Sequence, residues 1–500
     1  MALVSAALFA PLSITDVPPL LDYPNHLARF VMLAAGPDDP TLGPIFTPHW
    51  AIIPNLATDV IAPPLLRLLP VHVAGRCLLG GILLLNLAGV IALHRALFRR
   101  LSFWPLASGL VAYNSGFLLG FLNWQIGSGL AMLFAAAWLT WREHRPVATI
   151  AVAAAASVVL FFCHLMGLVF FLVLIGSAET HAMWRERAVL GRTASLLPVL
   201  TGPVVLWLLA ALHDAAAETH WMTPREKLLQ LASPFINYLL PLDIIRASLV
   251  FVAVALGVAS GRIAVAPRAI AAIAVLAILY VALPFDLMAT SFVDTRIAIM
   301  LGFLLFAAVD PVRLPLQTRR VAAIGLTVLF AVRMAVVTEV WTEHRRDLAD
   351  LRAVIAAVPP GASVTMTNVP REEAPAYWDA GPRSRLISNV LRTEYHLPAL
   401  LIIERGAFWP LLFANPAQQP IRLRSAYARL AGEVYDIPSH AALVADPDRG
   451  CAALRDFDFV VMLEAGADPD LSGFVSNCLT LVLRTDFAAL FRVRHDAGAR

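Results

Sequence analysis

The chain has 500 residues, 59% of them apolar and 15% charged, with a formal net charge of +3. A soluble globule carries roughly 25% charged residues, so a soluble multidomain enzyme, a disordered scaffold and a nucleic-acid binder are excluded. Apolar stretches recur from residue 1 to about 340, the composition of a polytopic α-helical membrane protein.

A spanning helix needs roughly 20 mostly apolar residues, which predicts spans at 1–14, 72–98, 103–120, 122–141, 146–162, 164–184, 196–213, 247–261, 268–284, 295–310 and 320–339. The first is short: such a segment rises only ~21 Å against a hydrocarbon core of ~30 Å. It has no basic n-region and no small-residue cleavage site. We expect this helix either to begin upstream of residue 1 or to continue towards Val17.

Arginine sets the orientation. Of the 38 basic residues only Lys227 is a lysine, a usage that reads as a GC-rich bacterial coding bias. Alternate connections carry Arg99 and Arg100; Arg142 and Arg145; Arg185, Arg187 and Arg192; Arg262 and Arg268; Arg313, Arg319 and Arg320. The positive-inside rule puts these loops in the cytoplasm. Segments 15–71, 214–246, 285–294 and everything after about 340 then lie outside, in a bacterial inner membrane. Eleven spans with a cytoplasmic N-terminus follow.

After residue 340 charges become frequent. A helix over 343–358 is closed by Pro359-Pro360-Gly361, and strands are expected at 364–367 and 457–463. The predicted organisation is a transmembrane domain, 1–340, that includes the outer loop 15–71, followed by an extracytoplasmic, periplasmic α/β domain, 341–500. The four cysteines show no zinc-ligand spacing. Cys77 and Cys163 read as core residues, while Cys451 and Cys478 can pair if their region lies outside the cytoplasm.

The first outer segment holds Asp22-Tyr23-Pro24-Asn25-His26-Leu27-Ala28-Arg29. Pro24 suits a first helical turn, which sets His26 and Arg29 three apart on one face with Asp22 at the helix mouth. Asp22 is then either an N-cap or a reactive carboxylate. Further candidates are His26 as a catalytic group, Asp59 as a second acid, and Asn25, Asn123, Gln125, His164 and Trp221 as acceptor or sugar contacts. Asn123 and Gln125 are expected in an outer turn, where turn chemistry explains them equally well, and His164 in another as a structural histidine or a ligand. Arg29, Arg225, Lys227, Arg246 and Arg296 are candidate phosphate ligands, because basic side chains engage phosphate oxygens and arginine does so in pairs. Arg296 opens an apolar span, so a carboxylate partner, Asp294 or Asp286, is expected. Residues 220–231 read as an interfacial amphipathic segment.

The layout resembles the GT-C superfamily of membrane glycosyltransferases, in particular a poorly characterised bacterial branch similar to aminoarabinose and protein O-mannosyl transferases. The resemblance rests on the Asp22–Arg29 phrase, on Gly120-Phe-Leu-Asn-Trp-Gln-Ile-Gly127, and on Leu283-Pro-Phe-Asp286 followed by Asp294-Thr-Arg296. It implies transfer of a sugar from a polyprenyl-phosphate donor to an envelope lipid, glycan or protein on the outer face, with Asp22 as general base. Many relatives carry a second acid after the first; here that position is Tyr23. No cofactor is implied with certainty, and a divalent metal is not readable from the residues. The alternatives from other classes are a transporter or flippase, and an inactive scaffold that binds lipid-linked glycan.

Overall fold

The computed structural model describes residues 1–187, 189–210, 219–287, 290–368, 382–387, 391–432, 446–465 and 478–495. It divides into two compact units. The helical unit comprises Met1–Ile14, Ala51–Val60 and Arg76–Glu339; the mixed unit comprises Thr15–Trp50, Ile61–Gly75 and Val340–Arg500.

Six helices among the described residues are long and apolar enough to cross a membrane, against eleven expected spans. They are Val71–Phe98, Pro146–Cys163, Leu165–Glu186, Val189–Leu209, Leu240–Ala259 and Leu316–Ala356, with shorter apolar helices at Ala2–Ser13 and Pro267–Ala282. Several faces of these helices expose leucine, isoleucine and valine, as at Leu208, Leu256, Ile278 and Val321, the surface a lipid solvent requires.

The differences from the expected spans have local causes. The first segment is helical only over Ala2–Phe9 before Pro11 tightens it into a 3-10 turn at Pro11–Ser13. Segment 103–120 is not one helix. Pro105 opens a 3-10 stretch, Trp104–Val111, and Asn114 caps a separate short helix, Ser115–Leu118, by accepting from the Phe117 amide. Gly120 then turns the chain at φ +84°, a conformation that costs glycine nothing. Nearly all of this segment is buried, the condition under which irregular backbone is tolerated at membrane depth. The expected outer turn at Asn123–Gln125 is instead the first turn of the helix Leu122–Trp141. Span 295–310 is the 15-residue helix Val293–Ala307. The separate helix expected over 343–358 is continuous with the preceding span, giving the 41-residue helix Leu316–Ala356; its charged end has no proline or glycine to stop it before Pro359.

Helices Leu122–Trp141 and Leu165–Glu186 cross closely at glycine. A Cβ on Gly167 would meet the Gly127 backbone at 2.9 Å, so the small pair sets the crossing distance.

The mixed unit carries a four-stranded sheet in the spatial order Val364–Asn368, Phe459–Leu463, Ala488–Val493, Leu479–Arg484. The first two strands are parallel and the other pairs antiparallel. All five residues of Phe459–Leu463 are buried, which explains their unbroken apolar run. Cys451 and Cys478 form a disulfide.

Segment 15–50, expected with the transmembrane part, clusters with the C-terminal residues for identifiable reasons. Phe46–Pro48 pairs antiparallel with Ile421–Leu423, and Arg424 Nε donates to Gly43 O at 2.8 Å. Arg352 engages Asp16 with two nitrogens at 3.1 and 2.8 Å, and Glu404 at 2.7 Å.

Candidate functional site

In the mixed unit, helix Tyr23–Ala35 starts where expected, with Pro24 in its first turn. Asp22 occupies the N-cap position, yet its side chain makes no capping hydrogen bond. The carboxylate instead faces the His396 imidazole, with Oδ1 3.6 Å from Nε2 and both side chains mostly buried. One turn on, Arg29 Nη2 lies 3.0 Å from His26 Nδ1, so the imidazole accepts from the guanidinium. The Phe413 ring stands edge-on to both histidines, its centroid 5.8 Å from His26 and 5.0 Å from His396. Asn25 is fully buried, donating to Leu411 O at 2.9 Å while its Oδ1 has no hydrogen-bond partner.

Burial pushes the His396 imidazole down to about 4. The ring therefore faces Asp22 as a neutral group at neutral pH. Since a carboxylate only accepts hydrogen bonds, the favourable tautomer carries its proton on Nε2. A separation of 3.6 Å exceeds a direct hydrogen bond, and a shift of about half an ångström would form one. The arrangement supplies a carboxylate able to take a proton, backed by an uncharged imidazole and flanked by a histidine–arginine pair.

Tyr23, the departure from the resembled pattern, is fully buried. Its phenol packs against Gly75, where any Cβ would collide with it.

The other candidates lie in the helical unit, where most are committed to local partners. Asn123 accepts from the Thr58 amide at 2.8 Å and donates to Asn55 O at 2.6 Å. Gln125 donates to Asn114 Oδ1 at 2.7 Å and accepts from Asn86 at 3.3 Å. His164 caps a helix, its Nδ1 accepting from the Met166 amide at 3.0 Å. Asp59 is buried in the first turn of Ala57–Leu68.

Lys227 closes the end of helix Ile270–Ala282. Its Nζ donates to Tyr280 O at 2.9 Å and Leu283 O at 2.7 Å, and lies 3.5 Å from Asp294. A cation on the last carbonyls satisfies acceptors the helix leaves over. Of the two carboxylates expected for Arg296, Asp294 faces Lys227 and Asp286 lies 3.9 Å from the His220 ring. Arg296 bonds Ser291 O and stacks over Phe121, 4.2 Å from the ring centroid. Trp221 and Arg225 are exposed around the short helix Pro224–Gln230, which Thr223 and Glu226 close with a reciprocal capping box.

The residue that local patterns do not reveal as Asp22's partner is His396, 374 positions away; only the folding of segment 15–50 onto the C-terminal part brings the two together. Among the described residues, no group of three or more His, Cys, Asp or Glu side chains is placed to hold a metal ion.

No protein-family model matches the chain, and no curated protein matches it. Among solved structures it is similar to ArnT from Cupriavidus metallidurans bound to undecaprenyl phosphate, at 10% identity, a TM-score of 0.49, and coverage of 98% of this chain and 97% of that one. A likeness of that size assigns neither a family nor a ligand to this chain.

Proposed function

We propose that the chain is a membrane glycosyltransferase that moves a sugar from a polyprenyl-phosphate donor to an envelope acceptor, with Asp22 as general base. The observation that carries this reading is the orientation of Asp22. It forgoes the N-cap bond its position offers, worth ~1 kcal/mol, and faces the neutral ring of His396. In the proposed step Asp22 takes the proton of an acceptor hydroxyl as its oxygen bonds to the anomeric carbon. The bond from that carbon to the phosphate oxygen breaks, and the electron pair leaves with the phosphate. His396 acts as a positioning residue, holding the carboxylate without neutralising it. His26 and Arg29 supply polar contacts beside it, and Asn25 contributes an unpaired buried acceptor.

The topology proposed with it has eleven spans, a cytoplasmic N-terminus and a periplasmic C-terminal α/β domain. The alternation of arginine-rich connections supports it, as does the Cys451–Cys478 disulfide, a bond that persists in oxidising compartments.

The test is mass spectrometry of envelope lipids and glycans in a deletion strain complemented with wild type or Asp22→Asn at matched expression. A sugar-sized mass restored by wild type and reduced ~10²–10⁴-fold in rate with Asp22→Asn is expected. Equal rescue removes Asp22 as the base and moves the scaffold and transporter readings forward.

A further inference from the structure

Charge in the mixed unit converges on one glutamate. Glu464 ends the buried strand Phe459–Leu463 at φ +60°, a left-handed backbone that favours glycine, and is itself buried. Its side chain gives the reason a glutamate stands there. Oε2 lies 2.9 Å from Arg392 Nη2, and Oε1 accepts from Arg385 Nη1 at 3.4 Å. These arginines belong to the two arms of one small hairpin. In it Leu386–Ile387 pairs antiparallel with Leu391–Arg392, and the Thr393 amide donates to Arg385 O at 2.9 Å. Arg385 is anchored in turn on Asp347, holding its two oxygens at 2.7 and 2.9 Å, and lies over Phe487, 4.8 Å from the ring centroid.

Arg392 carries this network to the turn that bears His396. Its Nε donates to Glu394 Oε1 at 2.6 Å, and Glu394 is the first residue of the 3-10 turn Glu394–Ala399. His396 is the third. With three residues per turn, side chains two positions apart point about 120° from one another. One side of the turn is therefore tied to Arg392 while another brings the imidazole to Asp22. A rotation that breaks the first contact moves the second. Glu394 is buried, and its Oε2 has no hydrogen-bond partner, so Arg392 is the charged group that holds its carboxylate. Charge-assisted bonds of this kind are short and directional, and they fix the rotation of the turn as well as its position.

We propose that Glu464 is a positioning residue for His396, acting through Arg392 and Glu394 to clamp the turn that presents the imidazole to Asp22. The inference rests on the reading of Asp22 as the base and deepens it. Glu464 meets no reacting group in that reading; it keeps His396 where the ring orients the carboxylate.

The test follows the His396 ring by nitrogen-15 NMR of the full chain in nanodiscs, labelled at histidine and assigned with His396→Gln. Wild type should titrate near 4. Glu464→Gln releases Arg392 and should raise that midpoint by about one unit or more, as the ring gains solvent. Arg392→Lys keeps the charge but lacks the planar fork that spans two carboxylates, and should move the midpoint the same way by less. Cys451→Ser is the control: it weakens the fold at a bond none of these residues makes, and should leave the midpoint at the wild-type value. In the complementation assay, Glu464→Gln should lower product formation roughly tenfold or more, the scale of a misplaced reacting group. An unchanged midpoint in folded Glu464→Gln, or in Arg392→Lys if the first variant does not fold, overturns the clamp. So does a shift that Cys451→Ser shares. A shifted midpoint with undiminished product overturns the positioning role, provided Asp22→Asn still loses product. Equal rescue by Asp22→Asn removes the base instead, and the clamp on His396 then stands or falls on the midpoint alone.

Discussion

Protonation of His396 provides a quantitative test of the site. Burial lowers its imidazole from 6.5 to about 4, so between those pH values the unfolded chain binds a proton that the folded chain refuses. Stability therefore rises with pH through this window and is lost as the solution is acidified. The shift is about 2.5 units, which at roughly 1.4 kcal/mol per unit corresponds to ~3 kcal/mol lost between pH 7 and pH 4. Asp22 at 3.6 Å favours the charged ring and opposes the shift, so ~3 kcal/mol is the larger end of the expected range. The assay follows unfolding of the full chain in detergent by urea at pH 7, 5.5 and 4, for wild type and His396→Gln. Other titrating groups contribute to both proteins and cancel in the difference. The variant should be less stable at pH 7, and its deficit should shrink or reverse by pH 4. A deficit that stays constant with pH would show that His396 titrates normally, and the neutral ring facing Asp22 would be refuted.

Three further outcomes follow from individual contacts. Lys227→Ala leaves the carbonyls of Tyr280 and Leu283 and the buried Asp294 without their cation; a loss of about 2–4 kcal/mol is expected, read as a lower melting temperature and partly restored in Lys227→Arg. A variant that melts normally but loses lipid-phosphate binding would show instead that Lys227 serves a ligand. Gly167→Leu forces a side chain into the Gly127 backbone and should cost at least 1–3 kcal/mol by separating two packed helices; unchanged melting would mean the crossing is looser than described. Cys451→Ser opens a loop of sequence separation 27, for an expected loss of about 3–4 kcal/mol. Protein from the native membrane should resist alkylation at Cys451 and Cys478 until reduced, and free thiols there would contradict the periplasmic assignment.

The membrane class, many helix positions and the helix opening at Asp22 were legible from local composition. Residues 146–162, for example, are read within one residue of the observed Pro146–Cys163, because lipid-facing helices must be apolar along their length. The stretch 103–120 passes the same apolarity test and is broken, because composition does not register how Pro105, Asn114 and Gly120 divide a buried segment. Asn123 and Gln125 looked available for a ligand because amides in a presumed turn face water. In the structure they lie in a buried helical turn, and their hydrogen bonds go to residues as distant as Thr58 and Asn86.

The solvent this protein folds in, the arginine pattern on which the proposed orientation rests, and the short phrase carrying Asp22 are local features, since each depends on residues within a few turns of one another. The partner of Asp22, the groups that occupy Lys227, and the carboxylate of Asp243 shared by Arg246 and Arg333 were decided only by tertiary packing. Each joins side chains whose charge must be satisfied in a low-dielectric interior. Which distant group satisfies it depends on how the segments pack, and no local pattern in the chain encodes that choice.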